Sequence, residues 1–344
     1  MSGRRKGEHK ITSREEIVDL SRAFQRSRTL LTAVELDVFT VLDAGPKTSE
    51  EMAREIQAGE RETDRLLNAL CALGLAEKSG HLFSNSPLAA RFLVRGKADH
   101  IAGLLHSASQ WKTWSTLTET IKTGHAPLAK QVRKARGPRI RSFVAAMHQR
   151  GMENAEKIAS LIDFDGVKRV LDVGGGSGSY SQAFVRAGRD IQAVVFDLPN
   201  VIPLTKEYIA AAGLQGRIET QVGDYSTDDL GQGYDLIFLS AIVHINSPEQ
   251  NEELIRKCAR ALNPGGQVVI QDLVMDENRT SPYRGTMFAL NMLVNTAQGD
   301  TYTESEIREW MTNAGMSFVE RQDFAATGLM IGRKEQSRSI GNHT

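Results

Sequence analysis

The run from Val170 to Tyr180, VLDVGGGSGSY, constrains what this chain can fold into more than any other segment. An apolar stretch ends on Asp172 and passes at once into Gly174, Gly175, Gly176 and Gly178, the pattern of a β-strand entering a glycine turn and then a helix. Glycine lacks a Cβ, so such a turn can take positive φ and let a ligand lie against the backbone. The order of the glycines separates two cofactor classes. A dinucleotide loop has the spacing G-x-G-x-x-G. Here Gly174-x-Gly176-x-Gly178 follows Asp172 as D-x-G-x-G-x-G, and Ser179 stands where the third dinucleotide glycine belongs.

A chain of 344 residues exceeds the usual single-domain size, so two domains are expected. Its 42 basic and 42 acidic residues cancel, which removes any global electrostatic case for a nucleic-acid or membrane partner. Residues 1–165 carry 26 Lys and Arg against 20 Asp and Glu, leaving 16 against 22 for the rest, an asymmetry ordinary for two domains. The basic start lacks an apolar segment behind it and does not read as a secretory signal, and no eighteen consecutive residues are apolar. Cys71 and Cys258 offer neither a disulfide framework nor a metal spacing, and no metal is expected. A cytoplasmic protein is the natural expectation.

From Lys168 onward apolar runs alternate with helical patterns, as an α/β sheet requires. Strands are expected at 169–173, 193–196, 217–222, 235–239 and 267–272, with helices at 180–187, 201–212, 248–262 and 304–314. Ser247-Pro248-Glu249-Gln250 and Thr303 with Glu306 are capping signatures, and Pro264-Gly265-Gly266 is a stop signal. Residues 317–321 and 327–331 read as a closing antiparallel pair. The front of the chain reads as a long helix from Arg14 to Leu42, short helices at 49–56 and 60–73, and a hairpin whose strands flank Ser79-Gly80. That is the order of a winged-helix module. A DNA-binding regulator is therefore one reading, but the third helix begins Glu60-Arg61-Glu62-Thr63-Asp64-Arg65, whose three carboxylates suit a polyanion poorly, so subunit association is preferred and no nucleic acid is expected.

Further segments carry a resemblance. Together with the glycine run, Val194-Val195-Phe196-Asp197-Leu198-Pro199 and Gly223-Asp224-Tyr225 are similar to the successive motifs of the class I S-adenosylmethionine-dependent methyltransferases. From about Thr12 to Arg333 the chain resembles the small-molecule O-methyltransferase family that includes the plant caffeate and the acetylserotonin enzymes. The resemblance implies a Rossmann-like α/β methyltransferase domain at 166–333, an N-terminal mainly helical, winged-helix-like dimerisation domain at 12–105, and a helical linker at 106–165 contributing to the substrate pocket. It implies S-adenosyl-L-methionine as cofactor, a homodimer, and cofactor contacts from Asp172, Gly174, Gly176, Gly178, Asp197, Leu198, Asp224 and Tyr225. A carboxylate at Asp197 suits two ribose hydroxyls, Asp224 would meet the adenine side, and Tyr225 could stack on the ring.

His244 is expected to end the fourth strand, in the run Phe238-Leu239-Ser240-Ala241-Ile242-Val243-His244, and residues outside the carboxyl ends of parallel strands face the ligand crevice. Alone, such a histidine could be structural; in the matching family motif it is the general base. The task is definite. A phenol near pKa 10 facing an imidazole near 6.5 makes full prior proton transfer uphill by roughly 5 kcal/mol, so the imidazolium needs help from the sulfonium charge, from a carboxylate behind the ring, or from concerted methyl movement. Asp272 takes the place of the family's first orienting acid, with a shorter side chain than the usual glutamate. The second acidic place falls near Thr301, with Asp300 adjacent but expected to point elsewhere, and Ile245 stands where plant members have an acid. These departures leave open a nitrogen or carbon acceptor or non-methylating chemistry.

The family's pocket positions match Met147 and Met292, whose thioethers suit flat aromatic faces. Asn291 and Asn295, one helical turn apart, could bind a hydroxyl or carbonyl, and Trp111 and Trp114 could line the same interdomain cleft or support the dimer. From Ile121 to Gly151 there is no acid, while Lys130, Arg133, Lys134, Arg136, Arg139 and Arg141 crowd together, a solvated loop or a guide for an anionic acceptor. The expected activity is methyl transfer to a hydroxyl of a small aromatic molecule.

Overall fold

The structure, a computed structural model, describes residues 10–130, 137–324 and 327–336. Arg133, Lys134 and Arg136 of the basic run lie outside them. The chain divides into two compact units, Met1–Lys112 and Thr113–Thr344.

In the first unit, helix α1 (Arg14–Glu35) begins at a capping box in which Ser13 and Glu16 satisfy each other's backbone N–H groups. The helix expected to continue to Leu42 is broken. Asp37 takes φ 58° and restarts the chain as α2 (Val38–Asp43), which buries Val38, Phe39 and Leu42 against Leu67, Leu70 and Phe83. Helices α3 (Ser49–Glu55) and α4 (Glu60–Ala72) precede a hairpin of β1 (Ala76–Ser79) and β2 (Leu82–Asn85), followed by α5 (Pro87–Phe92) and the start of α6 (Gly103–Trp114). Ser79 pairs with Leu82, so the turn is Gly80-His81 rather than Ser79-Gly80, with Gly80 supplying φ 59°. On α4 the two arginines pair with neighbouring acids, Arg61 with Glu62 and Arg65 with Asp64. The early turns of α1 leave Ile17, Leu20 and Phe24 exposed.

The second unit opens with α7 (Leu117–Thr123) and α8 (Pro138–Ala159), then alternates β3 (Arg169–Val173), α9 (Ser179–Ala187), β4 (Gln192–Asp197), α10 (Ile202–Ala211), β5 (Ile218–Val222), β6 (Tyr234–Ser240), α11 (Pro248–Ala261) and β7 (Leu262–Asp272). After β8 (Val274–Met275), α12 (Tyr283–Asn295), β9 (Tyr302–Thr303) and α13 (Glu304–Asn313), the chain closes with β10 (Met316–Phe324) and β11 (Thr327–Lys334). The seven-stranded sheet runs β10-β11-β7-β6-β3-β4-β5. Strands β3 to β7 are parallel, and β11 and β10 are added antiparallel at one edge. Val170, Leu171, Leu236, Ile237, Val268 and Val269 are fully buried in the sheet, each such side chain contributing about 1.5–3 kcal/mol on removal from water.

Because β3 lies between β4 and β6, the winding reverses there and a crevice opens over the carboxyl ends of the two strands. Most elements fall within a residue or two of expectation, and both expected capping boxes form, at Ser247 with Gln250 and at Thr303 with Glu306. Two differences matter. Pro264-Gly265-Gly266 does not stand as a separate turn: β7 already starts at Leu262 and absorbs the triplet where its register with β6 shifts. And β6 ends at Ser240, so His244 does not end the strand. Ala241, at φ 57°, turns the chain aside, and His244 stands in a 3₁₀ turn, Val243–Ile245. Among the described residues no helix is long and apolar enough to cross a membrane.

Candidate active site

The loop after β3 has the backbone its glycines imply: Gly174, Gly176 and Gly178 all take positive φ, at 66°, 57° and 71°. Gly174 N–H donates to Phe196 O at 2.7 Å, which ties the loop to the end of β4. A Cβ on Gly174 would stand 2.3 Å from Ile242 Cδ1, whereas one on Gly176 would meet nothing within 4 Å, so the loop is tight on one side and open on the other. Asp197, at the end of β4, reaches back across this loop: its Oδ2 accepts from Gly176 N–H at 2.8 Å and its Oδ1 from Leu198 N–H at 2.7 Å. Burial pushes its carboxyl up to about 6 despite those two bonds. Leu198 packs on Val144, Val201 and Leu204.

Asp172 is fully buried. Its Oδ2 accepts from Ser181 Oγ at 2.7 Å, while its Oδ1 has no hydrogen-bond partner among the described residues. Burial, opposed by the Ser181 hydroxyl and reinforced by the nearby charge of Asp197, pushes this carboxyl up to about 7. Asp224 spends its Oδ1 on the N–H and hydroxyl of Ser226, and Tyr225 is steadied by its hydroxyl donating to Asn246 Oδ1 at 3.1 Å.

Across the crevice His244 and Asp272 form a buried pair. Asp272 takes the ring Nδ1 between both oxygens, at 2.8 and 3.0 Å, and also accepts Leu273 N–H at 2.8 Å and His244 N–H at 3.4 Å. With the Nδ1 proton directed at the carboxylate, the lone pair of the neutral ring lies on Nε2. The Phe288 ring meets the imidazole edge-on, centroids 4.8 Å apart. Gly299 presses on the backbone of this turn, since a Cβ there would stand 2.4 Å from His244 O. Asp300 points elsewhere, as expected, toward Arg279 and its own Thr301 N–H; Thr301 is buried.

The match with known proteins is extensive. Residues 124–317 match the O-methyltransferase domain and residues 18–95 the O-methyltransferase dimerisation domain. The 3-hydroxy-5-methyl-1-naphthoate 3-O-methyltransferase of Streptomyces sahachiroi is 34% identical, over 92% of this chain and 94% of that protein. The tetracenomycin polyketide synthesis 8-O-methyl transferase TcmO of Streptomyces glaucescens is 32% identical, over 93% and 96%.

The chain belongs to the O-methyltransferase family. A solved O-methyltransferase family protein from Burkholderia thailandensis superposes with TM-score 0.85 at 26% identity, covering 95% of this chain and all of that one. The methyltransferase uses S-adenosylmethionine, and the residues of the crevice fit that group. The unpartnered oxygen of Asp172 suits a charged donor such as an amino group, and the open side of Gly176 leaves room for a ligand against the backbone.

The remaining expected residues are distributed along α8 and α12. Met147 is half-buried on α8 and Met292 buried on α12. Asn291 Oδ1 accepts from Trp114 Nε1 at 2.9 Å and from Asn295 Nδ2 at 3.0 Å, so the two asparagines form one network with that tryptophan. Trp111 instead lies against Phe24 and Arg28 in the first unit. Arg141 of the basic run pairs with Glu207. A cavity of about 420 Å³ is lined from α12 by Thr286, Ala289 and Leu293, the face opposite to Phe288 and Asn291, and is therefore not the crevice beside His244.

Several residues of the crevice escape sequence reasoning. His148, stacked on Tyr208, holds Ser177 of the glycine loop at 2.9 Å from Nδ1, and burial lowers its pKa. Its position directly after Met147 was the available signal. Phe288, one helical turn before Met292, had the same kind of signal. Ser240 and Tyr180 converge on Gln271 Oε1, at 2.6 and 3.4 Å, with no mark in the sequence beyond strand register.

Proposed function

We propose that this S-adenosylmethionine-dependent O-methyltransferase acts on a hydroxyl of a small aromatic acceptor, with His244 as general base and Asp272 as its orienting carboxylate. The observation that carries this reading is the buried His244–Asp272 pair, in which the carboxylate holds Nδ1 and leaves Nε2 as the nitrogen free to accept a proton. The cofactor supplies an electrophilic sulfonium methyl. His244 Nε2 takes the acceptor proton, while Asp272 holds the Nδ1 proton in place and stabilises the imidazolium as it forms, and general-base help of this kind contributes about 10²–10⁴-fold. Holding acceptor oxygen and methyl in line contributes further.

Asp197 would receive the ribose hydroxyls in exchange for part of its hold on the loop, Asp172 the amino group, and Gly174, Gly176, Gly178, Leu198, Asp224 and Tyr225 the remaining contacts. Met147, Met292, Asn291 and Asn295 would contact the acceptor. The relatives named for naphthoate and tetracenomycin substrates support a fused aromatic acceptor. A homodimer is supported by the dimerisation domain and by the exposed Ile17, Leu20 and Phe24 on α1. Nucleic acid is not part of this reading, because the arginines of α4 are neutralised by adjacent acids. Thiol usage is compatible with the cytoplasm.

Incubation with methyl-labelled S-adenosylmethionine and a panel of phenols, naphthols and aromatic amines, with product NMR, tests the reading. Label on an acceptor oxygen is expected. Label on nitrogen or carbon alone, or none in any acceptor with a folded enzyme that binds S-adenosylhomocysteine, would overturn it.

A further inference from the structure

Asn246, two residues after His244, stands in the middle of three hydrogen bonds that run in one direction. The Tyr225 hydroxyl donates to its Oδ1 at 3.1 Å, its Nδ2 donates to Asn251 Oδ1 at 3.0 Å, and Asn251 Nδ2 donates to Val243 O at 2.8 Å. Both asparagines are buried and Tyr225 is half-buried. The series begins on a residue that the reading above assigns to the cofactor and ends on the carbonyl immediately before the base.

Its far end fixes the sense of the whole series. Val243 O can only accept, so Asn251 turns its NH₂ toward that carbonyl and its oxygen toward Asn246. Asn246 meets that oxygen with its own NH₂, which leaves Oδ1 facing Tyr225 and in need of a donor. A phenol hydroxyl supplies one, whereas a phenylalanine ring of the same size leaves a buried acceptor unserved. The tyrosine at 225 is thus matched, across two amides, to the backbone beside His244.

Both ends are also held independently. Lys257 Nζ donates to Tyr225 O at 2.9 Å and to Asp228 O at 3.1 Å, so the backbone of Tyr225 is fixed from α11, the helix that carries Asn251. At the other end Asn246 N–H donates to Val243 O at 3.3 Å, and Asn246 O accepts from the Tyr302 hydroxyl. Asp272 sets the His244 ring, and the two asparagines set the backbone of the turn that carries it. The division matters because a tilt of that turn moves Nε2 against the acceptor proton, and a misplacement of about 1 Å can cost about 10²-fold in rate.

We propose that Asn246 is a positioning residue that couples the cofactor to the base. A cofactor resting on Tyr225 fixes the phenol, and the phenol, through Asn246 and Asn251, fixes the turn that aims His244. The inference rests on the placement of Tyr225 against the cofactor and of His244 as base proposed above, and deepens it.

The full-length enzyme is compared with Tyr225→Phe, Asn251→Leu and the double variant, each with an ordinary phenol and with a nitrophenol already ionised at the assay pH. Tyr225→Phe lowers kcat for the phenol by about 5- to 30-fold, the effect of one lost hydrogen bond and an unserved acceptor. For the nitrophenol, which needs no base, the loss stays below about threefold. The ring remains, so calorimetry finds S-adenosylhomocysteine affinity within about threefold of wild type. Asn251→Leu lowers the phenol rate at least as far, and adding Tyr225→Phe to it changes that rate by less than about twofold, because the two act through one amide. Should Asn251→Leu fail to fold, Asn246→Asp takes its place, since it keeps the Tyr225 bond and sets two oxygens face to face at Asn251. A second readout needs no turnover. With ¹³C-labelled histidine, the His244 ring signal, assigned by its loss in His244→Ala, shifts when S-adenosylhomocysteine saturates the wild type and shifts clearly less in saturated Tyr225→Phe.

Equal deficits for the two acceptors, multiplying effects in the double variant, or a ring signal that responds alike in wild type and Tyr225→Phe overturns the proposal. A large fall in S-adenosylhomocysteine affinity with the ring response intact at saturation also overturns it, because the hydroxyl then serves the cofactor alone. Failure of every phenol to take up label, with the ring response present in wild type and diminished in Tyr225→Phe, refutes the proposed activity and leaves the coupling standing.

Discussion

Asp272→Asn distinguishes an oriented base from an imidazole that merely fills space. The carboxylate accepts four contacts, with His244 Nδ1 shared between its oxygens, Leu273 N–H on Oδ1 and His244 N–H on Oδ2. An amide of the same shape can keep one oxygen. Turned to serve Nδ1 and Leu273, it faces its NH₂ toward the His244 N–H; turned the other way, it faces the closer Leu273 N–H. The first orientation preserves the tautomer but loses the negative charge and leaves a buried donor unpaired. Replacing a charge-assisted bond by a neutral one costs about 1–1.5 kcal/mol, and the orphaned donor adds about 1–3 kcal/mol where it bears on the imidazolium. A combined loss of about 2–4 kcal/mol at the transition state lowers kcat by about 30- to 1,000-fold at 1.36 kcal/mol per decade.

The assay compares two acceptors of similar shape, an ordinary phenol and a nitrophenol already ionised at the assay pH. Only the first needs its proton removed. The full deficit is expected with the phenol and less than about fivefold with the nitrophenol, since the general-base contribution is absent there. Calorimetry with S-adenosylhomocysteine should show affinity within about twofold of wild type, because Asp272 makes no contact with the glycine loop. Equal deficits for both acceptors, or a phenol rate within about threefold of wild type, would refute the role given to the pair.

Four other outcomes are expected. His244→Ala should abolish most turnover of unactivated phenols while S-adenosylhomocysteine affinity stays nearly constant; loss of cofactor binding by a folded variant would contradict the assignment. Gly174→Ala places a side chain at φ 66° and 2.3 Å from Ile242 Cδ1, so thermal unfolding should report a loss of about 2–4 kcal/mol, and calorimetry weaker cofactor binding. Asp172 and Asp197, raised from 3.8 to about 7 and about 6, retain protons in the folded apo protein that the unfolded chain has released, so apo stability should fall as pH rises from about 4 to about 7. A cationic cofactor favours the ionised forms, so its affinity should rise over the upper part of that window, with proton release near pH 6 in buffers of different ionisation enthalpy. Asp172→Asn should remove part of that release. Leu20→Asp with Phe24→Asp should shift sedimentation from dimer to monomer without lowering the unfolding temperature of the second unit.

What was legible in the sequence follows from whether a feature is local. Gly174, Gly176 and Gly178 were readable because positive φ is a demand on a single residue, and the starts of α11 and α13 because a capping box closes within four residues. The break at Asp37 was not readable. Residues 14–42 keep a helical pattern throughout, and the turn is selected by the fit of Phe39 and Leu42 into a core assembled from distant parts of the unit. His244 shows the same limit at the site itself. An alanine gives no warning of left-handed backbone, yet Ala241 N–H still bonds Gln271 O at 2.9 Å before the chain leaves the sheet at φ 57°. That departure is what swings His244 over Asp272 at the end of the neighbouring strand.

Helix α12 extends the point from backbone to side chains. Met292, Asn291 and Asn295 were singled out by resemblance and helical spacing, but Phe288 was not, because the helix is apolar on more than one face and its sequence does not declare which face meets His244. The structure sets that phase through two contacts, Phe288 on His244 and Asn291 on Trp114. Once the phase is known, the face that Phe288 shares with Asn291 and Asn295 follows from helix geometry alone. The chemistry that a local motif can specify is thus a nucleoside cofactor against a glycine turn. Which residues meet His244 and Trp114 depends on the rotation of one helix, and a rotation of about 100°, a single residue, would replace Phe288 with Met287 or Ala289.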